Sequence, residues 1–278
     1  MKKIFFAFLL IIVFNKTLFP QDELKEQFQF ANKLYEQGKY FDAITEFKRL
    51  QFFDEKREYE FISNFLIGKC YKEGAKLSDA IFYFSKAEIG AASSQQIFDS
   101  RIEVIKSNIL RKTISRALKM IDELKADERF FRKKDTLIYW SGWAYIINGE
   151  WDKAAEQFSQ VSFANSLADL CDSIDSESYS VLFAKYISYI IPGAGQFYTG
   201  NFLSGLLSLG WNVLWGYTTV NAFIEERIFD GFAVANFLWL RFYSGNIQNA
   251  EQFALIKNLE ISNKALDYLQ YQFSGLKP

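Results

Sequence analysis

The sequence predicts an all-α protein: a solenoid of stacked helical hairpins, then an apolar helical hairpin suited to a membrane, then an amphipathic C-terminal helix. Three observations predict it. Ala43, Ala80, Ala117 and Ala154 recur at a stride of 37 residues, and their neighbours keep the same step. Phe202 to Phe223 runs 22 residues without a charge. The 278 residues hold only three prolines, Pro20, Pro192 and Pro278, so almost nothing interrupts a helix.

Met1 to Gln21 reads as a signal peptide or an uncleaved N-terminal anchor. Lys2 and Lys3 precede an apolar run of 11 residues, Ile4 to Phe14. That run is shorter than the roughly 20 residues a comfortable span needs. Under either reading the two charges predict that the chain beyond the run crosses the membrane. The repeats are then expected in the bacterial cell envelope, on the outer, periplasmic side of the cytoplasmic membrane.

Residues 22–165 carry four repeats of 37 residues. Phe47, Phe84, Ile121 and Phe158 keep the stride; so do Leu50, Ala87, Leu124 and Val161, and Tyr40, Leu77, Ile114 and Trp151. Gly38 and Gly149 mark turns between paired helices. Gly68 and Gly142 put a small residue on the first helix of their repeats. The third repeat departs, with Ile105 and Asn108, but keeps Ala117, Leu118, Ile121 and Leu124 in phase. Small residues let two helices cross closely. One hairpin cannot bury its apolar face alone, whereas at least three stacked hairpins make a continuous core.

This pattern resembles a tetratricopeptide (TPR) repeat. Its period is three residues longer than the commonest form, and the extra residues fall in the turns near Asp54 to Arg57 and Gly90 to Ser94. The resemblance implies a superhelix whose first helices line a groove for a protein or peptide partner. The matching positions are Asn32 and Tyr35, then Phe65, Lys69 and Lys72, then Lys106 and Ile109, then Tyr139, Trp143 and Ile146. Aromatics with lysines suit an extended peptide that has apolar side chains and some acidic character. Trp143 and Ile146 have a second reading, packing against the next segment of the chain.

Residues 166–180 form an acidic linker or a capping helix, with Asp169, Asp172, Asp175 and Glu177 beside an apolar face of Leu167, Leu170 and Ile174. These carboxylates lack the spacing and turn glycine of a calcium loop.

Residues 181–247 form the expected membrane domain. Pro192, Gly193, Gly195 and Gly200 break the first apolar segment. Phe202 to Phe223 is long enough to cross a bilayer, with Ser204, Ser208 and Asn212 as a small-to-polar stripe. After Glu225-Glu226-Arg227, a second segment over 228–247 spans if Asp230 and Arg241 reach the interfaces. The order Pro192, Gly193, Gly195, Gln196, Tyr198, Gly200, followed by two apolar helices, resembles an uncharacterised bacterial P-G-x-G-Q-x-Y-x-G two-helix membrane domain. That domain recurs in envelope proteins and is often fused to TPR arrays; the resemblance covers about Lys185 to Ala254. Gln196 and Tyr198 either meet a lipid head group or partner, or simply satisfy a tight turn. Residues 248–278 read as an amphipathic helix, with Phe253, Ile256, Leu259, Leu266 and Leu269 on one face.

A net charge of −1 gives no electrostatic reason for a nucleic-acid partner. The absence of histidine removes Ser-His-Asp and Cys-His catalysis and His-ligated metal sites. Cys70 and Cys171 lack CxxC spacing, so no zinc or redox motif exists; Cys70 reads as a small core residue, with a disulfide to Cys171 as the alternative. No catalytic set, metal or cofactor is expected. The expected function is a membrane-anchored scaffold or adaptor, its repeats binding a protein or peptide and residues 181–247 meeting membrane lipids. The alternative is a transport, lipid-handling or envelope-assembly factor with the repeats as a regulatory arm.

Overall fold

The computed structural model describes residues 21–278, and all their regular structure is helical. The signal or anchor expected at the N-terminus lies outside the described residues. The chain divides into two compact units, one ending at Asn165 and the other running Ser166–Leu276.

The first unit is four helical hairpins: α1 (Gln21–Glu36) with α2 (Tyr40–Phe53), α3 (Glu60–Glu73) with α4 (Leu77–Ile89), α5 (Ser94–Leu110) with α6 (Ile114–Ala126), and α7 (Lys134–Asn148) with α8 (Trp151–Ser159). Each helix packs on the one before and the one after, as stacked hairpins must. The second helices begin at Tyr40, Leu77, Ile114 and Trp151, in step with the 37-residue stride. One residue in each intra-hairpin turn adopts positive φ: Gly38, Ala75, Lys112 and Gly149. Glycine is the easy choice there. The structure adds Ala75 and Lys112, which composition alone hides.

The core repeats with the same phase. Ala43, Ala80, Ala117 and Ala154 are fully buried, as are Phe47, Phe84, Ile121 and Phe158. A Cβ on Gly68 would come within 2.7 Å of the Phe84 ring, and one on Gly142 within 2.6 Å of the Phe158 ring. The first helix therefore gives up its side chain so that the second can place a phenyl ring at the crossing. The third hairpin solves the same problem with two medium residues, Ile105 and Ile121, both fully buried.

The turns between hairpins hold the extra length. In the first, buried Asp54 accepts from the Glu58 N–H (3.0 Å) and the Tyr59 N–H (2.6 Å), meeting donors just before α3. In the second, Ser93 accepts from the Gln96 N–H while Gln96 accepts from the Ala92 N–H, a near relative of the capping box.

In the second unit the stretch expected as an acidic linker or capping helix is helical, α9 (Asn165–Glu177), with Leu167, Cys171 and Ile174 buried and Leu170 half-buried. Both cysteines carry free, buried thiols. Then come α10 (Val181–Ile190), the short α11 (Ala194–Tyr198), and α12 (Phe202–Ile224). Last is a long run of α13 (Ile228–Val234), a π-helical turn Ala235–Trp239, and α14 (Leu240–Tyr271). α12 pairs with α13 and the π turn, and α14 packs on α10 and α11.

Two expectations change here. Among the described residues no helix is long and apolar enough to cross a membrane, so the fold has the hairpin but not the expected span. α12 has the length, about 34 Å at 1.5 Å per residue. Its apolar residues are diluted by Ser204, Ser208, Asn212, Thr218, Thr219 and Asn221 and by three glycines, Gly205, Gly210 and Gly216. The amphipathic face expected at the C-terminus is also different. Ile256 and Leu259 are exposed, Phe253 and Leu266 are half-buried and Leu269 is buried; the rest of the buried stripe is Asn246, Ile247, Ala250, Ala254 and Ala265. Small residues occupy it because α10 presses close, with Ala184 fully buried on its own side.

Candidate functional site

Two constellations concentrate the chemistry, one in each unit. In the first, Glu103 on α5 is buried and takes three lysines. Its Oε1 lies 3.3 Å from Lys69 Nζ and 3.1 Å from Lys106 Nζ, and its Oε2 lies 3.1 Å from Lys72 Nζ. Lys69 and Lys72 come from α3, three residues apart and so on one helix face. Lys69 and Lys106 occupy the same position of successive repeats. Stacking therefore brings like charges together, and Glu103 is the only carboxylate within ion-pair distance of them among the described residues. Three ammonium groups against one carboxylate leave a local excess of two positive charges.

Burial pushes the Glu103 carboxyl up, but Lys72, Lys106 and Lys69 outweigh it and bring it to about 2. Burial lowers Lys72, opposed by Glu103. Aromatic rings flank the amines. Lys69 Nζ stands 5.7 Å from the Phe65 ring centre and Lys106 Nζ 4.8 Å from that of Trp140, both within cation–π range. The arrangement can hold an anionic group beside flat apolar surfaces.

Of the ten positions expected in a groove, Phe65, Lys69, Lys72 and Lys106 come together here. Asn32 and Tyr35 are half-buried on α1, where Asn32 donates to Glu36. Tyr35 is raised by burial first and by Glu73 second. Ile109, Tyr139, Trp143 and Ile146 are buried. They belong to the packing of the stack, the second reading open for Trp143 and Ile146. Sequence reasoning missed Glu103 and Trp140. Both were legible as one repeat position, three residues before Lys106 and Trp143.

The second constellation gathers the Pro192 to Gly200 motif. Gln196 is fully buried; its Nε2 donates to Asn246 O and Oδ1, each at 2.9 Å, and to Ser208 Oγ at 3.3 Å. The Gly193 N–H donates to Asn246 Oδ1 (2.7 Å), and Asn246 Nδ2 donates to Ser188 O (3.2 Å). The Gly195 N–H donates to Ser188 Oγ (3.0 Å). A Cβ on Gly195 would lie 2.2 Å from Ala184 O, so only glycine fits that approach. Gly193 and Gly200 have φ of +92° and +78°. Tyr198 closes the knot from outside, its hydroxyl accepting from the Ser180 N–H and its ring set edge-on to Tyr179 and Phe183. Pro192 is half-buried at the start of this turn. The motif thus satisfies a tight turn, with Asn246 as the partner that sequence reasoning missed.

Compared with protein-family models, curated proteins and solved structures, the chain matches none.

Proposed function

We propose that this protein is a lipid-attached helical-repeat adaptor of the bacterial cell envelope. On this reading the first unit recognises a protein partner through an acidic, partly apolar segment, and the second unit holds the chain at the membrane. The observation that carries the reading is the inverted burial of the second unit. Ser188, Gln196, Thr199, Asn212, Thr219 and Asn246 are buried, whereas Leu203, Leu206, Val213, Tyr217 and Phe229 are exposed, Phe229 to 90%. A water-facing fold hides such side chains, because apolar area exposed to water is unfavourable by roughly 25 cal/mol per Å². Polar groups turned inward and apolar groups turned outward suit a hydrocarbon solvent. The lysine cluster supports the other half, since its excess charge faces no second carboxylate of the chain within ion-pair distance among the described residues.

The test is flotation of the full chain with phosphatidylcholine vesicles in a density gradient. Attachment predicts co-flotation that survives high salt, and loss of it when Leu203, Leu206 and Val213 are each changed to Glu. A chain that stays monomeric and fully aqueous without detergent overturns the reading.

A further inference from the structure

A cleft that neither constellation uses lies between α2 and the C-terminal end of α3. It is half open, with a volume of about 450 Å³, within the roughly 300–1,000 Å³ range of sites that hold small organic molecules. Its walls include Tyr40, Phe41 and Ile44 from α2 and Tyr71 from α3, and Lys48 and Lys76 are among the other residues that line it.

Three features set its chemistry. First, the walls are flat and braced. Tyr71 stacks on Tyr83 with ring centres 5.3 Å apart, and Tyr40 leans on Tyr35 at 6.0 Å. Second, Phe41 is 81% exposed. A ring in that position gains from a partner that covers it, and aromatic faces favour another aromatic in offset or edge contact. Third, the charge is one-sided. Among the described residues no aspartate or glutamate lines the cleft. Lys48 and Lys76 form no ion pair among the described residues. Lys48 lines the cleft and is exposed, with its Nζ 5.5 Å from the centre of the Tyr83 ring.

We infer that this cleft binds a small aromatic carboxylate, its ring between Phe41, Tyr40 and Tyr71 and its carboxylate on Lys48 and Lys76. The cleft's volume suits a free small molecule of one or two fused rings. Cys70 also lines the cleft, but its thiol is buried and pushed up to about 12, so it offers no nucleophile and the site binds without reacting.

The experiment is calorimetric titration of the full chain with three probes of one shape: 2-naphthoate, the neutral 2-naphthamide and the cationic 2-naphthylmethylamine. Exposed apolar surface elsewhere takes up all three alike; the lysine cluster at Glu103 also favours the anion, so the variants of Lys48, Lys76 and Ile44 isolate the cleft. Saturable one-to-one binding of 2-naphthoate is expected, tighter than that of the amide by about tenfold or more, with the amine weakest. Lys48→Glu with Lys76→Glu removes that preference, and Ile44→Trp fills the cleft and removes the binding. Equal affinity for the three probes, or 2-naphthoate binding unchanged in either variant, overturns the inference. Should the variants fail to fold, the Ile44 methyl resonances of the unaltered chain decide. A shift that saturates with 2-naphthoate and not with the amine supports the site, and no shift at saturation refutes it.

Discussion

Gly142→Ala pits two opposing effects against each other at one atom. In an isolated helix the change is favourable by about 1 kcal/mol, because alanine has less backbone entropy to lose. In this structure the new methyl lands 2.6, 2.7 and 2.8 Å from Cζ, Cε1 and Cε2 of Phe158, a fully buried ring that cannot swing into solvent. Overpacking of this kind typically costs about 1–3 kcal/mol. The clash outweighs propensity when the ring is pinned, so a net loss of about 1 kcal/mol is expected. That lowers the midpoint of thermal unfolding, tracked by far-UV circular dichroism, by roughly 2–4 °C for a unit of this size. The decisive measurement is the cycle with Phe158→Ile. Phe158→Ile alone leaves a void and destabilises. Combined with Gly142→Ala it is expected to cost less than the two changes summed, with a coupling of about 0.5–3 kcal/mol. The third hairpin already holds such a pairing in Ile105 and Ile121. A raised midpoint for Gly142→Ala, or strict additivity in the cycle, would refute the argument that ring and glycine share one space.

The same geometry sets other outcomes. Glu103 has a depressed folded-state value, so its contribution is complete above the unfolded value of 4.5 and is lost as pH falls toward about 2. That fall is worth about 3 kcal/mol at 1.36 kcal/mol per pH unit. Urea midpoints between about pH 5 and 2 are expected to drop in the native chain and to stay flatter in Glu103→Gln. Asn246→Leu strands the Gly193 N–H and takes a side-chain donor from the Ser188 carbonyl, while the Gln196 amide keeps only the residue 246 backbone O and Ser208 Oγ. A loss of about 2–4 kcal/mol is expected, read as faster proteolysis of the second unit. Gly210→Ala meets open space in mid-helix and is expected to stabilise by about 0.5–1 kcal/mol in the same assay. Cys70 and Cys171, both pushed up to about 12, are expected to resist a thiol reagent at pH 8 until denaturant is added.

The repeats were legible because a buried position tolerates few residue types, and stacking imposes those types at a fixed stride. Ala43, Ala80, Ala117 and Ala154 carry that constraint. The turns were half legible. Gly38 and Gly149 announce positive φ, but Ala75 and Lys112 take it without the residue that normally signals it. They do so because the flanking helices dictate the path and their packing outweighs a strain of about 1–2 kcal/mol. The lysines were named from their repeat positions, yet the carboxylate that organises them was not. A sequence lists charges; only stacking says that Lys69 and Lys72 on one helix and Lys106 on another meet at Glu103. Asn246 escaped for the same reason, lying 50 residues from the Gln196 that it holds.

The second unit shows why counting apolar residues along a helix misleads in both directions. A run of 22 uncharged residues suggests a span, while Ser208, Asn212 and Thr219 dilute that run enough that no helix among the described residues qualifies as one. Both views average around the helix, but the solvent meets only its outer face. Gly205, Asn212, Thr219 and Ala222 are the buried residues of α12, and each packs inward. Asn212 and Thr219 turn their side chains back to the carbonyls of Ser208 and Trp215 at 2.8 and 2.7 Å. The outward face carries Leu203, Leu206, Leu207, Val213, Leu214, Tyr217 and Val220. Gly205, Asn212 and Thr219, which help to lower the mean, are thus among those the surroundings do not touch. Charge placed on the two faces separates these accounts. Leu206→Glu, on the outer face, is expected to leave the fold intact and weaken vesicle co-flotation. Thr219→Glu buries an unpaired carboxylate and is expected to destabilise the hairpin by several kcal/mol. If Leu206→Glu leaves co-flotation unchanged, the outer face is not what meets lipid.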